Sequence, residues 1–163
     1  MADEINEGTE NTEAEEGELQ YPYVVRGATM YCSCGTHMRK LDMPVSHGSF
    51  IRDKAMMNNA DCKVGIDQNI PPFGACLSEN KDGIDIKIED TKDLVPFTDE
   101  EGNPIEISLP IEGKLCEPKL DTEWSEAQEN TLVDGKPALT VKCTITCSYG
   151  GTIYFMDAGQ EVY

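Results

Sequence analysis

Seven cysteines and two histidines are the residues of this chain best equipped for chemistry. The thiols stand at Cys32, Cys34, Cys62, Cys76, Cys116, Cys143 and Cys147, and the imidazoles at His37 and His47. Their number is odd, and the amino terminus has neither the basic nor the apolar region of a secretory signal. Synthesis in a reducing cytoplasm is therefore expected, with thiolate metal binding ranked above a disulfide framework. Buried unreactive thiols, and disulfides formed after release, are the other readings. C-x-C at Cys32 and Cys34 and C-x3-C at Cys143 and Cys147 are not the paired C-x2-C knuckles of a zinc finger. Either histidine is a candidate ligand or general base, although a His beside Gly, as in Ser46-His47-Gly48, more often serves a turn. There is no phosphate-binding glycine loop, nucleophile elbow or H-E-x-x-H motif. A Cys-rich, His-poor set suits a closed structural site better than a catalytic one, so no enzymatic activity is expected.

Short strands and turns must position these groups. Leu132 to Ile153 combines a Gly-containing turn, an alternating stretch and a Gly-Gly turn. A single strand from Thr140 to Cys147 would put Val141, Cys143, Ile145 and Cys147 on its less polar face. Phe50 to Cys62 repeats the theme loosely, an apolar residue followed by a turn ending in Lys, which suggests a degenerate internal repeat. Tyr21 to Met30 is β-branched and aromatic, interrupted by Pro22 and Gly27. It leads into Cys32 and Cys34, which share a face if the segment is extended. Asn69 to Ser78 is a stiff corner with two prolines, suited either to a fixed ligand at Cys76 or to plain packing of Phe73 and Cys76. Period-two alternation at Ile84, Ile86 and Ile88, and again at Ile105, Ile107 and Leu109, predicts a strand pair within an acidic insert over 79–110. Thr122 to Asn130 starts a short helix or, alternatively, anchors a loop through Trp124.

Composition limits the rest. At 163 residues, with 39% hydrophobic residues and one Trp, the chain makes one domain with a thin core. Its net charge of −18 argues against binding nucleic acid or an anionic membrane through a general field. No stretch approaches the roughly 20 apolar residues of a membrane span. Met1 to Leu19 holds eight acidic residues and no basic one, so a disordered tail over 1–19 is expected ahead of a domain over 20–163. That tail either solubilises the protein or folds on a basic partner.

The elements YVVRGATMYCSCG, PVSHGSFI, NIPPFGACLS, a Cys-x-Pro at Cys116, and LVDGKPALT leading into CSYGGTI follow one another in the order of a known family. The chain resembles the PAAR-like spike-tip proteins of contractile injection systems, which include type VI secretion machines and phage-tail-like particles. The resemblance covers roughly Tyr21 to Tyr163. It implies a mainly β, small cone-shaped fold that caps a trimeric spike and sharpens it for membrane puncture. It also implies a structural metal, zinc or alternatively iron, on Cys32, Cys76, Cys116 and Cys147. Cys34, Cys62 and Cys143 depart from the family pattern; with His47 they are substitutes or a second site. Val24, Val25, Ile153, Tyr154 and Phe155 are candidates for the spike-binding base, or else ordinary core strands. Implied partners are the spike, a cargo effector on the acidic tail or insert, and, transiently, a target membrane. The implied location is an injection particle assembled in the cytoplasm and delivered outside the cell or into a target. Two alternatives remain: a stand-alone thiolate metal or redox protein, and an effector acting through Cys and His.

Overall fold

The computed structural model describes residues 21–160, so the acidic tail lies outside the described residues. The domain is mainly β, and among the described residues there is no helix. Among the described residues eleven short strands form four small antiparallel sheets. The largest has the order β10(Ile145–Thr146), β11(Thr152–Phe155), β1(Thr29–Cys32), β2(Arg39–Lys40). A second has the order β5(Ala75–Cys76), β7(Ile111–Leu115), β6(Asp85–Ile88). β3(Phe50–Ile51) with β4(Lys54–Ala55), and β8(Gln128–Val133) with β9(Lys136–Ala138), are hairpins.

The two hairpins give the loose repeat a physical basis. Arg52 and Asp53 have φ of 50° and 68°, and Asp134 and Gly135 have 53° and 81°. Two successive residues in the left-handed region make the turn whose twist matches that of the flanking strands. In each case a Lys follows, Lys54 and Lys136.

Two expectations are corrected, and one left open between helix and loop is decided. Thr140 to Cys147 is not one strand: Val141 and Lys142 form a turn closed by Cys143 N–H donating to the Thr140 carbonyl at 3.0 Å. Strand β10 starts only at Ile145, so Cys143 and Cys147 do not share a strand face. In the insert, β6 pairs with β7, with Ile86 opposite Gly113 and Ile88 opposite Ile111, and not with Ile105 to Leu109. The alternation of that latter stretch is real but lies between Pro104 and Pro110, neither of which can donate to a ladder. Its side chains are largely exposed, Ile105 by 44% and Leu109 by 38%. Around Trp124 no helix forms. The indole N–H donates to the Asp61 carbonyl at 2.8 Å, and the ring stacks on Phe155 at 4.7 Å, so the loop reading holds.

One core unites the sheets. Val24, Met30, Leu41, Met57, Phe73, Leu139, Ile145 and Ile153 are fully or nearly fully buried, with Cys32, Cys76, Cys116 and Cys143 packed among them. The proposed spike-binding base is corrected in the same way. Val24, Val25, Ile153 and Phe155 belong to this buried core, where their β-branched and aromatic surface is already covered. Tyr154 alone of the five is exposed, stacked on Tyr31 across β1 and β11 with ring centroids 5.2 Å apart.

Burial rather than pattern sets the energetic weight of each apolar residue. Phe73→Ala is expected to cost about 3–5 kcal/mol, as for aromatic truncation in a packed core. Ile105→Ser is expected to stay within about 0.5 kcal/mol of wild type. Urea denaturation of both variants checks this contrast.

Candidate metal centre

Four separate segments deliver thiols to one place. Cys32 closes β1, and the chain then turns through Ser33 and Cys34, with Gly35 N–H donating to the Cys32 carbonyl at 2.9 Å. The C-x-C pair therefore lies on a turn rather than on one extended strand. Cys76 ends β5, bridged to Gly35, while Leu77 N–H donates to the Cys34 carbonyl at 2.7 Å. Cys116 follows β7, and its N–H donates to Gly74 at 3.0 Å. Cys147 follows β10, bridges Leu120, and donates its N–H to Gly151 at 2.8 Å. The Pro71-Pro72-Phe73 corner sets the approach: Thr36 and His37 both donate backbone N–H groups to the Phe73 carbonyl.

Cys32, Cys34, Cys76, Cys116 and Cys147 line a common cavity of about 10 Å³, closed by Phe73, Tyr149 and Ile153. That free volume holds about one water-sized atom. Two glycines keep the backbone close to it. A Cβ on Gly151 would lie 2.6 Å from the Cys32 sulfur, and one on Gly35 would lie 2.7 Å from the Phe73 Cβ. Among the described residues no group of three or more His, Cys, Asp or Glu side chains stands ready-made as a metal-holding cluster. The thiols share the cavity walls without being gathered on a single point.

Electrostatics separate the thiols. Burial pushes Cys32 up to about 11 and Cys116 up to about 12, and raises Cys76. Neighbouring thiolates, that of Cys147 among them, would further oppose ionisation of these three. Backbone groups act the other way. Those of Cys34, Ser78 and Phe73 favour the thiolates of Cys32, Cys76 and Cys116, and Lys119 N–H donates to the Cys147 sulfur at 3.4 Å. Cys34 is half-buried and lends its own backbone to Cys32.

The other candidates stand elsewhere. Cys62 donates to the Ala60 carbonyl at 3.7 Å and neighbours Asp61 and Glu123, whose charges add to the rise that burial gives its pKa. Cys143 is fully buried, and its sulfur accepts Thr140 N–H at 3.3 Å. His37 shares a 2.8 Å hydrogen bond with the Thr36 hydroxyl, and burial holds its pKa below the usual value. His47 lies between two carboxylates. Nε2 is 3.0 Å from both oxygens of Asp61, and Nδ1 is 3.1 Å from Asp134. Asp61 also accepts Asn58 N–H at 2.7 Å. None of these four joins the cavity wall.

Sequence reasoning did not single out Lys81, Tyr149 or Thr36. Lys81 packs its ammonium over the Tyr149 ring at 5.0 Å, and the Thr36 hydroxyl accepts Ala75 N–H at 2.9 Å. A lone Lys in the acidic run from Glu79 to Asp85 was the available signal for the first.

The His47 arrangement predicts a pH dependence. Burial lowers its pKa, but the hydrogen bonds and charges of Asp61 and Asp134 outweigh that, so the net shift is upward from 6.5. A raised folded-state pKa means that stabilisation by His47 is fully present below about pH 6.5 and is lost as the pH rises through the higher folded value. The melting temperature of wild type relative to His47→Gln is expected to fall across that window. A constant difference between the two melting curves from pH 6 to pH 9 would refute it.

No curated protein and no solved structure matches the chain. The sequence family described as DUF4280, a domain of unknown function, matches residues 24–160, a span that takes in all eleven strands and all seven thiols. The small β domain with its shared thiol cavity is therefore a member of the DUF4280 family.

Proposed function

We propose that this protein is a non-enzymatic, PAAR-like tip of the central spike of a contractile injection system, stapled by one metal on cysteine sulfur. The observation that carries this reading is the meeting of Cys32, Cys76, Cys116 and Cys147, from four distant parts of the chain, on one atom-sized cavity. These are the four positions at which the resemblance to spike-tip proteins places ligands. The donor chemistry fits zinc: four thiols, each with a backbone group directed at its sulfur, in a largely apolar enclosure. A divalent cation would be held there by the four sulfurs as thiolates, and its charge would offset the burial and mutual repulsion that raise the pKa values of Cys32, Cys76 and Cys116. Iron(II) would suit the same set. Cys34 is the remaining substitute, while Cys62, Cys143 and His47 stand apart.

The same features disfavour an effector that uses Cys and His. Thiols pushed to about 11 and about 12 are poor nucleophiles at neutral pH, and both ring nitrogens of His47 are taken by carboxylates. A spike tip needs slow unfolding under load, and a metal tie between remote loops supplies it where a thin core does not. The trimeric spike is the proposed partner, and the acidic insert the proposed place for cargo.

Elemental analysis of protein purified under reducing conditions tests the centre. One zinc per chain is expected, with Cys32→Ser, Cys76→Ser, Cys116→Ser and Cys147→Ser each losing metal and melting far below wild type. Structural zinc in small peptides contributes about 10–16 kcal/mol, so the loss should dominate the melting curve. Cys62→Ser and Cys143→Ser should keep the metal. Stoichiometric co-elution with the trimeric spike, at one tip per trimer, tests the assignment. A metal-free wild type whose four variants melt unchanged would remove the centre, and a metal-loaded protein that ignores the spike and oxidises reversibly would favour the stand-alone redox reading.

A further inference from the structure

We propose that the free edge of strand β6 is a docking site for a second copy of this chain, joining the two through one continuous sheet. The proposal uses the insert strand alone and rests on neither the metal nor the spike. In the order β5-β7-β6, strand β6 has β7 on one side, and among the described residues no other strand or bridge joins it. Leu115 N–H donates to the Ile84 carbonyl at 2.7 Å, which makes Ile84, Ile86 and Ile88 the hydrogen-bonded partners of Leu115, Gly113 and Ile111. The backbone N–H and C=O groups of Asp85 and Lys87 therefore point away from β7, off the edge of the sheet. That edge carries neither proline nor bulge, and it is open: Ile84 is 63% exposed and the Asp85 side chain 85%.

What suits this edge to a copy of itself is its sequence. Two β6 strands running antiparallel about Ile86 place each Asp85 opposite the partner's Lys87, and the outward backbone groups of these residues then exchange both hydrogen bonds of the rung. Inside each copy Asp85 already stands opposite Lys114, with an ion pair of 2.6 Å, and Lys87 stands opposite Glu112. A rung across the dimer thus reads Lys114, Asp85, the partner's Lys87 and the partner's Glu112, with opposite charges alternating throughout. On the other face Ile84 meets the partner's Ile88, and Ile86 meets the partner's Ile86, flanked by Ile111 and Leu115, so apolar surface left open in one copy is covered by the other. Moving the two-fold axis by one residue either way opposes Asp85 to Asp85 or Lys87 to Lys87, which fixes the register. The net charge of −18 works against association, but charges farther apart than about 8 Å are screened at physiological ionic strength, whereas the rung pairs are in contact. So short an edge buries little area, and the dimer is a weak one.

Sedimentation velocity of the full chain, from micromolar to near-millimolar concentration, reads the dimer directly. Wild type is expected to pass from monomer to dimer as concentration rises. Lys87→Glu makes both edge charges acidic, and Asp85→Lys makes both basic. Each variant alone is expected to raise the dimer dissociation constant about tenfold or more, because like charges then stand opposite on every rung. An equimolar mixture of the two variants is expected to recover association, since every rung pair becomes complementary. Lys87→Pro removes an N–H that β7 does not use, so it is expected to abolish the dimer and keep the monomer fold, and it decides the matter should the charge variants misfold. A wild type that stays monomeric throughout overturns the proposal and leaves the edge to a different strand. A dimer that survives Lys87→Pro lies on another surface and overturns it too, as do charge variants that dimerise like wild type or whose mixture fails to associate.

Discussion

The dominant constraint on this fold is that its sheets are too small to hold one another. Four of the eleven strands reach four residues or more in the two larger sheets, and many of the remaining cross-chain connections are single bridges such as Tyr23 to Thr140, Gly35 to Cys76 and Leu120 to Cys147. A chain built this way has little cooperative ladder to rely on, and its backbone order depends on the side chains at the crossing points. Two crossings matter most. One is the Phe73 corner, whose carbonyl takes two N–H groups while its ring fills the core. The other is the thiol cavity beside it, where the turn after β1, the ends of β5 and β7 and the segment after β10 meet. The proposed metal would sit at that second crossing, where it would replace missing hydrophobic area with directional bonds.

Charge is distributed with the same economy. The insert over 79–110 carries ten acidic and three basic residues, and most of it is exposed. Its sheet nevertheless shares strand β7 with the thiol-bearing β5, so an acidic, solvated segment abuts the thiol cavity. Lys81 stands at that boundary. Elsewhere, Asp61 and Asp134 converge on His47 and tie the loop after Pro44 to the β8–β9 turn.

Much of this was legible in the sequence because it depends on local rules. The segments around Asp134-Gly135 and before Lys54 declared turns, the prolines at 71 and 72 declared a corner, and alternation at Ile84, Ile86 and Ile88 declared β6. What failed was long-range. Ile105 to Leu109 alternates as well as β6 does, yet nothing in its own residues says that the partner strand begins at Ile111 instead. Val24 and Val25 look alike as core or as docking surface, since burial depends on remote segments such as those of Leu139 and Ala158, to which their N–H groups bond. Spacing alone left seven thiols equivalent, and the placing of Cys147, and not Cys143, on the shared cavity turns on a two-residue turn at Val141 and Lys142.

The register of β6 and β7 has a consequence for how this domain can vary. Ile88 and Ile111 face each other across the ladder, so the chain leaves and re-enters the sheet at the same rung. The cost of closing a loop grows only slowly with its length, and the segment between those rungs can lengthen, shorten or be exchanged with little change in that cost. Its backbone contacts with the body, among them Val95 N–H to the Thr36 carbonyl, Met38 N–H to the Asp93 carbonyl and the bridge of His37 to Leu94, would be given up in the exchange. The rung at Ile88 and Ile111 is thus a natural splice point, where a foreign sequence could be grafted into the protein while Cys76 and Cys116 keep their positions.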